Sequence, residues 1–175
     1  MNDVFIYLFG LPAAGKNYVG QALADEFGYT FYDGDLDLTP EMRAAVRDER
    51  PFTDAMRDRF YAALVGRIAA LRRDCPNLAF GQATFKERHR ALIAAAFPDV
   101  VFVLVEAGEA VRMARLAAGD NPVTVDYARR IAGFFEPPSH PHFVIRNEGP
   151  RAVLVDQLEG LLDSLAEESS ADWAD

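Results

Sequence analysis

The run Gly10-Leu11-Pro12-Ala13-Ala14-Gly15-Lys16-Asn17 carries the strongest chemical signal in the chain. It spaces two glycines and a lysine as Gly-x-x-x-x-Gly-Lys, between an apolar stretch and an amphipathic one. Glycines let such a loop wrap tightly, so that successive backbone N–H groups point inward as an anion nest. A helix starting at the lysine adds the positive end of its dipole. Lys16 then reaches the β- and γ-phosphates of a nucleotide. The residue after the lysine is normally Ser or Thr, whose hydroxyl ligates magnesium. Here it is Asn17, whose amide oxygen is also a hard donor but sits on a longer side chain. The loop supports ATP binding more directly than it supports efficient catalysis.

A second cluster is acidic: Asp33-Gly34-Asp35-Leu36-Asp37. In an open parallel sheet, ligands collect at the carboxyl ends of the strands, and this loop ends the second apolar run. Carboxylates two residues apart on an extended segment point the same way. One, Asp33, can hold a magnesium-bound water while Asp35 faces a substrate. The plain alternative is a solvated Asp-Gly turn, and Asp37 is either a third member or a surface acid. After the third apolar run come Lys86, Arg88 and Arg90. All three are candidates for holding a substrate carboxylate by charge-assisted hydrogen bonds; a solvated helix face is the other reading. Arg129 and Arg130 are either phosphate contacts or surface residues, and Arg59, Arg67, Arg72 and Arg73 read as helix surface. His89, His140 and His142 lack metal-site spacing.

These residues need a frame. Apolar runs at Val4–Phe9, Thr30–Tyr32, Leu78–Phe80, Val100–Val105 and Phe143–Ile145 read as strands buried on both faces. Between them lie helical patterns at Lys16–Phe27, Asp54–Arg73, Glu87–Phe97, Glu109–Ala118 and Val123–Phe135, and Ala152–Leu165 closes the chain. Strand and helix alternate, so the expectation is one α/β domain with a parallel sheet covered on both faces. The acidic segment 167–175 is expected to fray.

Composition narrows the function classes. The 175 residues are half hydrophobic, with a formal net charge of -9, which disfavours nucleic-acid binding by bulk electrostatics. The single cysteine, Cys75, cannot form an internal disulfide and fits a reducing, cytoplasmic setting. No run is apolar for long enough to cross a bilayer. The apolar start after Met1-Asn2-Asp3 reads as a strand rather than a signal segment. The expected partner is a small molecule, with the chain a monomer or a homodimer.

The chain resembles the gluconate kinases, relatives of shikimate kinase in the adenylate-kinase-like branch of P-loop proteins. Gly10–Asn17 and Gly28-Tyr29-Thr30-Phe31-Tyr32-Asp33-Gly34-Asp35 carry the likeness, with Pro40, Arg50-Pro51-Phe52-Thr53-Asp54 and Arg57. Gln82-Ala83-Thr84-Phe85-Lys86-Glu87-Arg88-His89-Arg90 and Phe134-Phe135-Glu136-Pro137-Pro138 extend it more loosely. The resemblance implies a P-loop NTPase fold with a five-stranded parallel sheet and a small helical lid at about 116–137. It also implies magnesium-ATP as phosphate donor and a sugar-acid hydroxyl as acceptor. By this likeness Lys16 and Asp35 are catalytic, and Asn17 and Asp33 are metal-side. The nucleotide meets Gly10, Ala13, Ala14, Gly15, Lys16, Asn17, Tyr18, Arg115 and Asn147. The acceptor meets Asp35, Arg57, Gln82, Lys86 and Arg90. Departures are local: Gly119 stands where the family has a phosphate-clamping lid arginine, Asn121-Pro122-Val123 replaces a His-Phe, and the Lys-Met before Arg50 is missing. Acceptors such as shikimate, an antibiotic hydroxyl or a nucleotide therefore remain open, as does a nucleotide-binding regulator with little turnover.

Overall fold

Alternation along the central strands decides which helices cover which face of the sheet. In β1 (Phe5–Phe9), Phe5, Tyr7 and Phe9 face one way and Ile6 and Leu8 the other, all fully buried. A computed structural model describes residues 3–119 and 121–171. The aromatic face packs against α2 (Pro40–Arg47), α3 (Asp54–Asp74) and α4 (Glu87–Ala96) through Met42, Phe60, Leu64, Ile68 and Ile93. The aliphatic face packs against α1 (Lys16–Phe27) and α7 (Arg151–Ala171) through Val19, Leu23, Leu154, Leu158 and Leu161. Burial of this kind, about 25 cal/mol per Å² of apolar surface, is what holds the layers together.

The sheet has five strands in the order β2-β3-β1-β4-β5, every neighbouring pair parallel. The others are β2 (Thr30–Asp33), β3 (Leu78–Gly81), β4 (Val100–Glu106) and β5 (Phe143–Arg146). β1 lies between β3 and β4, so the loop after it emerges at the centre of the carboxyl edge. The α/β expectation holds, and strand positions agree to within about one residue at each end.

Three local features differ from the sequence reading. α2 is an additional helix; Pro40 fills its first turn and Thr39 Oγ1 caps it by accepting from the Met42 amide at 3.2 Å, a contact of about 1 kcal/mol. The helix expected at Val123–Phe135 is shorter: α6 runs from Val125 to Ala132, capped by Thr124. α7 continues through the acidic segment to Ala171 rather than stopping at Leu165; residues 172–175 of the expected frayed tail lie outside the described residues. Among the described residues no helix is long and apolar enough to cross a membrane.

Candidate active site

Backbone strain shapes the loop between β1 and α1. Gly10 and Gly15 adopt φ of +141° and +98°, and Ala13 tolerates +60°. A Cβ at Gly10 would overlap the Val105 carbonyl, and one at Gly15 would overlap the Asn147 amide. Both glycines are thus required by conformation and by space. The loop is braced from outside. Asn147 Nδ2 donates to the Ala14 carbonyl at 3.0 Å. Arg115, on α5 (Glu109–Ala118), donates to the carbonyls of Ala13, Ala14 and Asn147 at 3.1, 3.2 and 2.5 Å. These bonds lie in the plane of the guanidinium and leave its exposed flat face able to stack on a ring. Within the loop the Ala14 amide donates to the Leu11 carbonyl at 3.2 Å.

Lys16 Nζ folds back over the loop onto the Gly10 and Leu11 carbonyls, each at 3.1 Å. Burial pushes its ammonium below the ordinary value, against the pull of Asp35 and Asp33. Asn17 Nδ2 donates to Asp33 Oδ2 at 2.7 Å, and the other Asp33 oxygen accepts from the Asp35 amide at 2.9 Å. This second bond starts a single 3-10 turn, Gly34–Asp37, which swings Asp35 into the cleft. Asp35 is open to the water filling the cleft, yet the crowding of the walls raises its carboxyl; Asp33 raises it too, while Lys16 and Gln82 lower it. Asp37 turns away, held by the Tyr32 hydroxyl at 3.0 Å and by Arg67.

The residue types around Asn17 suit magnesium. With Asn17 Nδ2 committed to Asp33, the Asn17 carbonyl oxygen is the donor left for a hard cation, beside one carboxylate. Among the described residues no group of three or more His, Cys, Asp or Glu is gathered to hold a metal. Magnesium arriving with a nucleotide, and keeping phosphate and water ligands, needs no such cage.

Opposite the loop lies a cavity of about 340 Å³. Its polar lining includes Lys16, Asn17, Asp35, Arg57, Gln82 and Thr84. Arg57 is buried and donates through Nη1 to the Phe52 carbonyl at 2.6 Å. Gln82 Oε1 accepts from the Ala83 amide at 2.7 Å, and its buried Nε2 faces Asp35 without a hydrogen bond of normal geometry. The roof comes from α6: Tyr127 and Ile131 pack on Phe85, Val46 and Phe135. The Tyr127 hydroxyl donates to the Arg50 carbonyl at 2.9 Å, and Thr124 Oγ1 donates to Glu49 at 2.6 Å. The lid is therefore closed onto the segment between α2 and α3.

The structure brings together Gly15, Lys16, Asn17, Asp35, Arg57 and Gln82 around one cavity. It places Lys86 and Arg90 elsewhere. Lys86 pairs with Glu136 at 3.0 Å, and the other Glu136 oxygen accepts from the Glu87 amide at the start of α4. Arg90, 1% exposed, donates to the carbonyls of Thr84 and Glu136 and pairs with Glu87. Both cations thus close a clasp between the loop after β3 and the segment after α6, their charges matched within the chain rather than offered to a substrate. Tyr18 is exposed on α1, its ring under Arg151, so only its backbone stays near the loop. Arg129 and Arg130 pair with Glu109 and Glu49, outside the cavity. Sequence reasoning missed Met42, Val46, Tyr61 and Tyr127 as cavity walls. The Thr39-Pro40 pair was a usable signal for α2; the rest had none, because their role depends on distant partners.

No protein-family model matches the chain. It is 40% identical to a shikimate kinase of Chromobacterium violaceum over 90 residues, which is 50% of this chain and 48% of that protein. The match thus spans about half the length of the curated relative. A gluconokinase from Sinorhizobium meliloti 1021 superposes with a TM-score of 0.83 at 23% identity, covering 97% of each chain. The fold is that of the P-loop small-molecule kinases. A sugar kinase from Janibacter sp. HTCC2649 follows at 0.79 and 20% identity, over 91% of this chain and 94% of that one.

Proposed function

We propose that the protein transfers the γ-phosphate of magnesium-ATP to a hydroxyl of a small molecule. The observation that carries this reading is that Lys16 and Asp35 line one cavity, the first from the loop after β1 and the second from the turn after β2. Phosphoryl transfer asks mainly for positioning and for neutralisation of charge. The loop amides, the start of α1 and Lys16 hold the phosphates; Asn17 and Asp33 hold the magnesium that the nucleotide brings, which spreads the developing negative charge. Asp35 orients the accepting hydroxyl and takes its proton as the phosphoryl group arrives. A carboxyl raised above its ordinary value is better matched to that work than a free one. The face of Arg115 supports the base, and Arg57 with Gln82 supports the acceptor. By resemblance a sugar acid comes first among acceptors, ahead of shikimate, an antibiotic hydroxyl or a nucleotide.

A second reading, a nucleotide-binding regulator, has one observation in its favour. Among the described residues no arginine of the lid lines the cavity, so Lys16 and Arg57 are the cations facing it. The test is ADP formation measured against a panel of sugar acids, sugars, shikimate, ring hydroxy acids and nucleosides. Magnesium-dependent ADP formation that rises with one added acceptor is the expected result. ATP binding with no acceptor-dependent turnover across the panel would leave the regulator reading in possession.

A further inference from the structure

A second cavity, of about 310 Å³, touches the phosphate loop at Leu11 and Ala14 and extends along the ends of β4 and β5 to the start of α5. Arg112, one turn into α5, forms part of its wall and is 6% exposed. Its Nε donates to the Ala107 carbonyl at 3.2 Å, but neither terminal nitrogen, Nη1 or Nη2, has a partner among the described residues. Charged donors left unpaired on a buried guanidinium are costly, so a group in this state calls for a reason. The two other arginines buried among the described residues are matched from within the chain: Arg57 pairs with Asp54 and donates to the Phe52 carbonyl, and Arg90 pairs with Glu87 and donates to the Thr84 carbonyl.

Three further charges, Glu106, Arg146 and Glu148, line the same cavity on its exposed side. Glu106 and Arg146 are register partners on β4 and β5, a placing in which opposite charges commonly pair. Neither forms an ion pair among the described residues. Glu148 accepts from the Gly108 amide, so the first donor of α5 is met from within the chain, and the unmet donors are those of Arg112. Two acids and two bases leave the lining without net charge, on a chain of formal charge -9. A phosphate or sulfate dianion finds no excess of positive charge there. A carboxylate matches the end of a guanidinium, provided that a positive group accompanies it to face the glutamates. Leu104, Val105 and Phe135 add an apolar floor. We propose that this cavity is a second ligand site, for an α-amino acid with an apolar side chain. The carboxylate lies on the Arg112 guanidinium, the ammonium faces Glu106 and Glu148, and the side chain lies against Leu104, Val105 and Phe135. Lys16, Asp35 and Arg57 line the other cavity, so binding here does not depend on the phosphotransferase reading.

Calorimetry on the whole chain with L-alanine, L-valine and L-leucine, each with and without a saturating non-hydrolysable ATP analogue, tests the site. The same titrations use the deaminated and decarboxylated counterparts, for leucine 4-methylpentanoate and 3-methylbutylamine. The expected result is that at least one amino acid binds, with an affinity that nucleotide changes by no more than a few-fold. Its two counterparts should bind roughly tenfold or more weakly, since each lacks one charged contact. Arg112→Gln should weaken the amino acid roughly tenfold or more while affinity for the ATP analogue stays within a few-fold. Glu148→Gln, at an exposed position, should weaken the amino acid several-fold and leave the deaminated counterpart unaffected; it carries the test alone if Arg112→Gln does not fold. None of the three amino acids binding, or the deaminated counterpart binding equally well, overturns the proposal. So does an amino acid displaced by the ATP analogue, or an Arg112→Gln protein that loses nucleotide affinity to the same extent, because either result would give the cavity to the nucleotide.

Discussion

One wall of the cleft comes from a single loop, through Pro12, Ala13, Gly15, Lys16 and Asn17, and the other is gathered from α2, α3, the loop after β3 and α6. The proposed phosphate wall depends on backbone: the Ala13 and Ala14 carbonyls are held by Arg115 and Asn147, and glycines stand where a Cβ has no room. The proposed acceptor wall depends on side chains, among them Thr84, whose hydroxyl bonds that of Tyr7, and Tyr127, whose hydroxyl donates to the Arg50 carbonyl. A backbone site recognises any nucleotide phosphate, whereas a side-chain chamber takes its selectivity from whatever surface is left facing inward.

Asp35 stands where the two walls meet, and its removal should have the largest effect. Asp35→Asn keeps the shape of the turn and removes the charge. Acceptor-dependent turnover should drop by about 10²-fold or more, while ATP affinity by calorimetry stays within a few-fold. Turnover that survives would place the proton elsewhere and dissolve the boundary between the walls at this residue.

Lys16→Ala should break the phosphate wall alone. A charge-assisted bond of this kind is worth about 1.5–3 kcal/mol, so ATP affinity should fall roughly tenfold or more. Acceptor binding, measured without nucleotide, should be unchanged. Equal ATP affinity in the two proteins would mean that the loop amides suffice.

The smallest effect concerns the clasp that closes the acceptor wall. Burial alone would raise Glu87, but hydrogen bonds from Ser139, Arg90 and His140 outweigh it and bring its carboxyl down to about 2 from an ordinary 4.5. A folded value below the unfolded one means that the clasp stabilises fully above about pH 4.5 and is lost as pH falls toward 2. Glu87→Gln should lower stability at neutral pH by about 1–3 kcal/mol and flatten the acid slope of the melting temperature between pH 6 and pH 3. Parallel slopes for both proteins would show that charge on Glu87 does not hold the segment after α6.

The chain by itself determined the strained glycine loop after β1 and the parallel sheet with helices on both faces. Gly10 and Gly15 act through backbone geometry, Lys16 follows them directly, and the five apolar runs state their own burial, so both were readable from spacing. It also placed Asp33 and Asp35, because a turn after a strand in a parallel sheet has one edge to go to. The fates of the cations were decided by tertiary structure. Lys86 and Arg90 look as available in the sequence as Arg57 does, yet Glu136 arrives from 50 positions away to take Lys86, while Arg57, paired at 3.8 Å with the exposed Asp54, still lines the cavity. The same holds for Thr84, whose hydroxyl bonds that of Tyr7, 77 positions earlier. Whether a polar side chain serves a ligand or its own fold depends on who reaches it first in three dimensions, and that pairing has no period along the chain.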